Sequence, residues 1–417
     1  MSNIAASIIT IGDELLIGQV IDTNSAWIAQ RLNRMGIDVQ RRVAVGDERA
    51  PIVQALDEEL SKSSLVIITG GLGPTADDIT KPLLNEYFGG KMIVDERVLA
   101  HLKEMMIRRN RPVLERNMKQ AEVPDVCTVL TNKMGSAPGM WFEKDGKVII
   151  ALPGVPFEMV SIMEDEGLPR LKERFTSDAL LHRSIITAGE GESYIAEKIK
   201  DLEDALPTHI RLAYLPGAGM VRLRLTGRGG NAVQLAEELS AAQTAIAARI
   251  ENIVVALEDI PLEHVLANWF RKEGKTLGLA ESCTGGNVAH HLTQIKGASE
   301  YFKGSIVCYR NEIKEHVLGV ATATIEQHGA ISEETVTEMV KGALKVLDVG
   351  YAYAVTGILD SDGELYGAPS GTVWMAVADR ERVVTKKFYF PFDRLRNKDM
   401  ATSMGMLMIW KFINNRA

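Results

Sequence analysis

Leu65-Val66-Ile67-Ile68-Thr69-Gly70-Gly71-Leu72-Gly73-Pro74-Thr75-Ala76-Asp77-Asp78-Ile79-Thr80 runs five strand-forming residues straight into a glycine-rich, acidic loop. A short apolar, β-branched run closed by glycines reads as a buried strand. Two more such runs lie upstream, Ser7 to Ile11 and Val39 to Val45, with helical periodicity over Asn24 to Met35 and Ala50 to Ser61. The order β–α–β–α–β predicts an α/β unit, a mostly parallel sheet with helices on both faces. Ligands of such sheets sit at the C-terminal ends of the strands. The loops 12–24 and 70–80 fall at such ends.

Downstream the pattern changes. Ser184 to Thr187 reads as a strand, Ser193 to Leu202 as a helix, and Ile210 to Leu215 and Val221 to Thr226 as strands joined by the turn Pro216-Gly217-Ala218-Gly219. An alanine-rich helix, Ala232 to Arg249, then leads to a strand at Ile253 to Ala256. That βαββαβ order is ferredoxin-like. It carries no catalytic constellation, so a spacer or dimerisation role is expected. The last block opens with a helix at Leu262 to Glu273 and the strand Thr276 to Ala280. Strands near Gly304 to Cys308, Ala352 to Thr356 and Thr372 to Ala378 and a helix at Asp399 to Phe412 complete a second α/β unit. The expected domains are residues 1–176, 177–258 and 259–417.

The 417 residues exceed the roughly 250–300 at which one core stops growing, which agrees with several domains. A net charge of -8 argues against a general nucleic-acid binder, and Arg108, Arg109 and Arg111 read as a solvated helix face. Cys127, Cys283 and Cys308 are too few and scattered for a disulfide framework or a zinc site. Met1 to Ala6 lacks the pattern of a signal peptide, and no stretch approaches the ~18 apolar residues of a membrane span. A cytoplasmic location is expected.

The 70–80 loop has specific chemistry. Gly70, Gly71 and Gly73 let backbone N–H groups approach an anion, and a following helix adds its dipole. Adjacent Asp77 and Asp78 would repel a bare phosphate but suit a divalent cation held against one. Glu14 and Asp22, after the first strand, complete a candidate metal set for diphosphate cleavage by a metal-held water. Thr75 and Asn24 are candidate substrate contacts. Equally, Asp77 and Asp78 could cap a helix, as could Thr23 or Asn24. Leu152-Pro153-Gly154-Val155-Pro156-Phe157-Glu158-Met159 follows another strand, Val148 to Ala151, and reads as a turn into a helix.

A second site follows Thr276 to Ala280. In Glu281-Ser282-Cys283-Thr284-Gly285-Gly286 a serine on a strand-to-helix turn exposes its hydroxyl, and the next residues offer N–H groups to an oxyanion or phosphate. Lys314 could serve as general base if burial lowered its pKa. Tyr309 could relay the proton between Ser282 and Lys314. Cys283 is a competing nucleophile, with His290 or His291 as its base.

Gly12-Asp13-Glu14-Leu15-Leu16, the Gly70 to Thr80 loop and the Leu152 to Pro156 turn together resemble the competence/damage-inducible CinA family, over essentially the whole chain. The resemblance implies an N-terminal molybdopterin-binding fold acting as an ADP-ribose pyrophosphatase, releasing AMP and ribose 5-phosphate with Mg²⁺, Mn²⁺ or Co²⁺ and K⁺ as a further cation. For the C-terminal block it implies a cofactor-free amidase that deamidates nicotinamide mononucleotide through a Ser–Lys pair. Carried over by position, Ser282 is the nucleophile, Lys314 the base and Tyr309 its partner. Thr356 matches a hydroxyl residue of the family's substrate pocket and Arg394 an arginine placed to bind substrate at its phosphate, while Thr284, Gly285 and Gly286 are candidate substrate contacts through the N–H groups of the turn.

One segment departs from that pattern. Where the family continues the Thr-Gly stretch with a glycine-rich loop, this chain has residues 358–369, with Asp360, Asp362 and Glu364. Negative charge there disfavours a phosphate-bearing substrate. The rival expectation is a pterin- or nucleotide-binding protein with a degenerate, non-catalytic C-terminal block. ADP-ribose and nicotinamide mononucleotide are the expected small-molecule partners, with no nucleic acid and no membrane. A homodimer is expected from the prevalence of two-fold assemblies.

Overall fold

The computed structural model describes residues 4–75, 78–110, 112, 114, 118–175, 178–360, 364–365 and 368–416. Contacts divide the chain into two compact units, Met1–Leu181 with Gly227–Glu238, and His182–Thr226 with Leu239–Ala417.

In the first unit, strands β1 (Ala5–Ile11), β2 (Asp38–Val45) and β3 (Leu65–Thr69) are followed by a separate ribbon of β4 (Met92–Val94) and β5 (Glu122–Pro124). The chain then returns through β6 (Thr128–Leu130), β7 (Gly139–Lys144) and β8 (Lys147–Leu152). The sheet order is β2-β1-β3-β8-β7-β6. β1, β2, β3 and β8 pair in parallel, and β7 and β6 extend the edge antiparallel. Alternate side chains serve two cores. Ile8, Ile67 and Ile150 pack with Ile28 and Leu32 of helix Thr23–Arg34, while Ile9, Ile68 and Ile149 pack with Ile52 and Leu56 of helix Arg49–Lys62. Burial on both faces is why these strands read as continuous apolar runs.

The middle segment contributes β9 (Ala179–Ala188), β10 (Ile210–Gly217), β11 (Met220–Gly229) and β12 (Val254–Ala256), with helices Glu192–Asp204 and Ala232–Arg249. The strand order β10-β11-β9-β12 is the ferredoxin-like arrangement that the βαββαβ pattern predicts.

The C-terminal sheet runs β14-β13-β15-β18-β19. Its strands are β13 (Leu277–Glu281), β14 (Phe302–Val307), β15 (Tyr351–Gly357), β18 (Thr372–Ala378) and β19 (Val383–Tyr389), with a small ribbon of β16 (Glu364–Leu365) and β17 (Ala368–Pro369) inserted. β13, β14 and β15 are parallel, whereas β18 and β19 are antiparallel. One face is large, with Leu279, Tyr353, Val355 and Met375 against Phe270 and Ile409. The other face is alanine, at residues 280, 352, 354, 376 and 378, so helix Glu333–Val346 packs close to the sheet. Among the described residues no helix is long and apolar enough to cross a membrane.

In both sheets the second strand lies to one side of the first and the third to the other. The connections therefore diverge and leave a crevice beyond the first strand's C-terminal end. That end carries Gly12 in the first unit and Ser282 in the second.

Candidate active site

Ser282 follows β13, with its N–H bonded to Val355 O at 3.0 Å. The turn after it uses Gly285 at φ 60 and Gly286 at φ 91, left-handed conformations that favour glycine. Gly285 N–H closes the turn on Ser282 O at 3.1 Å, so that donor is not available to a ligand.

Lys314 comes from helix Asn311–Leu318, which follows β14. It is 2% exposed, with Nζ 3.2 Å from Ser282 Oγ and donating to Cys308 O at 3.0 Å. Among the described residues it makes no ion pair. Burial lowers its pKa, opposed only by Cys308 and Cys283. Burial in turn pushes those thiols up to about 11 and about 12, so they stay neutral and offer the ammonium little compensation. An amine whose charged form burial opposes, set beside a serine hydroxyl, is the arrangement that a general base and a nucleophile require.

The two open onto a cavity of about 260 Å³ also lined by Tyr309, Thr356, Asp360 and Arg394. Thr356 is buried on β15, and its hydroxyl donates to Ala330 O at 2.8 Å. Thr284 is buried below the turn and donates to Glu281 at 2.7 Å.

Three expectations are corrected here. Tyr309 does not relay between Ser282 and Lys314, because Lys314 reaches the serine directly and the Tyr309 hydroxyl accepts from Arg394 Nη2 at 2.8 Å. Arg394 is not a free anion site, because Nη1 pairs with Asp360 Oδ1 at 2.8 Å. The Cys283 alternative fails because the thiol is held protonated and neither histidine serves it. His290 contacts Gln294 at 2.8 Å and His291 lies 3.7 Å from Glu263.

Glu281 is the residue the sequence reading passed over. It is fully buried, and its carboxylate accepts from the Thr284 hydroxyl at 2.7 Å, Val288 N at 3.0 Å, Ala289 N at 2.9 Å and the Ser305 hydroxyl at 3.1 Å. It ties the Ser282 turn to the first turn of helix Asn287–Thr293 and to β14. The available signal was an acid ending an otherwise apolar strand.

The N-terminal candidates also gather at strand ends. Gly70 takes φ 113, and a Cβ there would lie 2.2 Å from Ile11 O; at Gly71, φ 65, it would lie 2.1 Å from the Thr80 hydroxyl. Asn24 Nδ2 donates to Gly154 O at 2.7 Å, and Gly154 packs on the Gly70 Cα. Asn24 Oδ1 and Thr80 Oγ1 are buried with no hydrogen-bond partner among the described residues. Asn24 Oδ1 can accept from a water or a ligand, and the Thr80 hydroxyl can donate to one or accept from it.

Among the described residues the expected metal set is not assembled. Asp22 is the N-cap of its helix, where the pattern offered Thr23 or Asn24; it accepts from Ser25 N at 2.9 Å and from the Ser25 hydroxyl, with Arg42 3.8 Å away. Asp78 accepts from Gly73 N at 2.7 Å and, on its other oxygen, from Thr75 N at 2.8 Å and the Thr75 hydroxyl at 2.5 Å. Both carboxylates are thus spent on local backbone. Glu14 is exposed, folded over Gly12, and Asp77 lies outside the described residues. Among the described residues no three His, Cys, Asp or Glu side chains converge. A buried lysine does stand near the loop: Lys81 donates to Gln120 O at 3.1 Å, and burial lowers its pKa to about 8.

Residues 7–173 match the family model of a probable molybdopterin binding domain, residues 182–256 the damage-inducible protein CinA KH domain, and residues 259–413 the CinA C-terminal domain. A CinA-like protein of Cytophaga hutchinsonii is 45% identical over 97% of this chain and 97% of its own. Another, of Flavobacterium psychrophilum, is 42% identical over 98% of each. A solved structure of the protein CinA, with unknown function, from Thermoplasma acidophilum shares 35% identity over 40% of this chain and 98% of its own, with a TM-score of 0.37. The chain belongs to the CinA family, with a molybdopterin-binding-like domain at its N-terminal end and a CinA domain at its C-terminal end.

Proposed function

We propose that the C-terminal domain is a Ser–Lys hydrolase of a pyridine-ribosyl carboxamide, releasing ammonia, with nicotinamide mononucleotide, converted to nicotinate mononucleotide, the substrate the family resemblance implies. The carrying observation is the buried Lys314 amine 3.2 Å from Ser282 Oγ in an open cavity. In this reading neutral Lys314 takes the Ser282 proton as Oγ attacks the amide carbon. The resulting ammonium returns that proton to the leaving nitrogen, ammonia departs and an ester remains on Ser282. Water, deprotonated by Lys314, cleaves the ester and restores the serine. Cys308 O holds the amine in place throughout.

Ammonia release by the full chain tests this, beside Ser282→Ala and Lys314→Met. Each variant is expected to lose on the order of 10³-fold or more in kcat. A parent protein that releases no ammonia, or a Ser282→Ala variant that keeps its rate, overturns the reading.

For the N-terminal domain we infer binding of a nucleotide phosphate, with ADP-ribose the ligand the family resemblance implies. The glycine loop beside the unpartnered Thr80 hydroxyl, which can donate to a phosphate, supports this, while Asn24 Oδ1 fits a donor elsewhere on such a ligand. The described carboxylates do not fit a divalent cation in this arrangement, so no metal-dependent step is derived. AMP release from ADP-ribose with Mg²⁺, Mn²⁺ or Co²⁺, compared with Asp78→Ala, separates turnover from binding alone.

A further inference from the structure

One guanidinium stands at the rim of the Ser282 cavity, and a carboxylate of this chain is already seated on it. Arg394 Nη1 lies 2.8 Å from Asp360 Oδ1, and Nη2 donates to the Tyr309 hydroxyl at 2.8 Å. Surface ion pairs between long, free side chains count for little. Here both ends are anchored. Asp360 is short, and its backbone is fixed one and two residues earlier: Asn397 Nδ2 donates to Leu359 O at 2.9 Å, Ile358 N to Thr372 O at 2.9 Å, and Gly371 N to Ile358 O at 2.9 Å. Arg394 opens helix Arg394–Ile413, whose N-cap Asp393 accepts from Arg396 N at 3.0 Å.

The charges facing the cavity decide what this does. Glu281 is sealed beneath the turn by four donors, and Lys314, whose pKa burial lowers, is buried and held by Ser282 Oγ and Cys308 O. Among the described residues lining the cavity, the charges exposed to a ligand are Arg394 and Asp360, which cancel. A phosphate monoester carries about -1.5 to -2 near neutral pH. To reach the arginine it must displace Asp360 and remain within a few ångströms of a like charge. A neutral hydroxylated tail meets no such cost and finds a polar rim in Tyr309 and Asp360.

We propose that Asp360 is a specificity-determining residue that occupies Arg394 and tilts the cavity toward carboxamides whose far end carries no phosphate, a carboxamide nucleoside in preference to its 5′-phosphate. The assignment rests on the Ser282–Lys314 reading for the reaction, and on the Asp360–Arg394–Tyr309 geometry for the preference.

The test uses the full chain and two ligands, nicotinamide riboside and nicotinamide mononucleotide. Calorimetric binding is read in a Ser282→Ala background, and ammonia release with Ser282 intact. Asp360→Asn is nearly isosteric at a half-exposed position, and Asp360→Ala is the second variant. Each is expected to tighten nicotinamide mononucleotide at least tenfold while moving the riboside less than twofold. The kcat/KM ratio should shift equally, through KM. Adding Arg394→Ala should abolish the gain. Equal effects on both ligands, no effect on either, or no binding by any variant overturns the proposal. If the binding shift appears but the parent releases no ammonia, the hydrolase reading falls and the role of Asp360 stands. If ammonia is released and the ratio does not move, the reverse holds.

Discussion

Replacing Glu281 tests whether the nucleophile's turn is built or merely tolerated. The carboxylate is fully buried and satisfies four donors, two of them backbone N–H groups of the following helix. Glu281→Gln keeps the shape but turns one acceptor into an NH₂ group facing two of those donors. The hydroxyl of that pair can rotate; the backbone N–H, of Val288 or Ala289, cannot. A buried donor left unpaired costs about 1–3 kcal/mol, and a hydrogen bond to a charged group is worth about 1.5–3. Glu281→Gln should therefore cost about 2–4 kcal/mol locally, and Glu281→Ala more. Hydrogen exchange of peptides spanning residues 277–293, read on the full chain, reports this local opening free energy. At about 1.4 kcal/mol per tenfold, the expected acceleration is roughly 30- to 700-fold. Glu281 touches no substrate in this arrangement, so kcat should fall with KM little changed, and Glu281→Asp should recover part of it. Exchange within threefold of the parent would refute the reasoning.

Three further outcomes follow from named groups. The free lysine pKa is 10.5 and burial lowers that of Lys314, so the rate should rise with pH as the ammonium deprotonates, with its inflection below 10.5; a pH-independent rate over the range 6–10 would contradict this. Lys81, lowered from 10.5 to about 8, carries a cost fully present below pH 8 and gone above 10.5, because the unfolded chain holds the proton longer. At 1.36 kcal/mol per pH unit that is about 3 kcal/mol, so Lys81→Met, after losing about 1 for its bond to Gln120, should be stabilised by about 2 kcal/mol at pH 7 and not at pH 10.5 in urea unfolding; a pH-independent difference would exclude it. In Gly342→Ala the new Cβ lies 2.0 Å from Leu318 O, at the end of the helix that carries Lys314. It should destabilise by about 1–3 kcal/mol and cut ammonia release more than tenfold through displacement of the amine, read by paired melting and rate measurements.

Strands buried on both faces announce themselves, and so the parallel cores of both α/β sheets and the βαββαβ middle were legible from apolar runs and turn residues. The antiparallel edges were less so: β6 is three residues long, β7 ends in Glu143 and Lys144, and β19 is broken by Thr385, Lys386 and Lys387. The helices Thr322–His328 and Glu333–Val346 lie in a stretch the pattern left unassigned. At the site, Ser282 stood out only as a serine on a strand-to-helix turn, a pattern that a helix N-cap shares, and it was the family resemblance that singled out both Ser282 and Lys314. The acids were misjudged for one physical reason. An aspartate that ligates a cation and one that accepts from N–H groups three to five residues away have the same local sequence, and only coordinates separate them. Asp22 and Asp78 proved to be of the second kind. Asp360 was legible as a charge near the pocket, but not as the partner of Arg394, 34 residues away.

The fate of Glu281 explains why Lys314 can be a base at all. A carboxylate one residue from the nucleophile could have paired with the lysine, and an ion pair holds an ammonium protonated. Its oxygens are instead consumed by two hydroxyls and two backbone N–H groups. The lysine is left with a carbonyl, a serine and two neutral thiols. None of these repays the loss of water around a charge. The same four hydrogen bonds that fix the serine's position therefore also leave the lysine without a carboxylate partner, so that burial lowers its pKa below that of an ordinary lysine. It follows that Glu281→Ala should not create a better base by removing a charge. It would free the turn, admit water to Lys314 and move the rate inflection up toward 10.5, an effect distinct from the fall in kcat that loss of positioning alone would give.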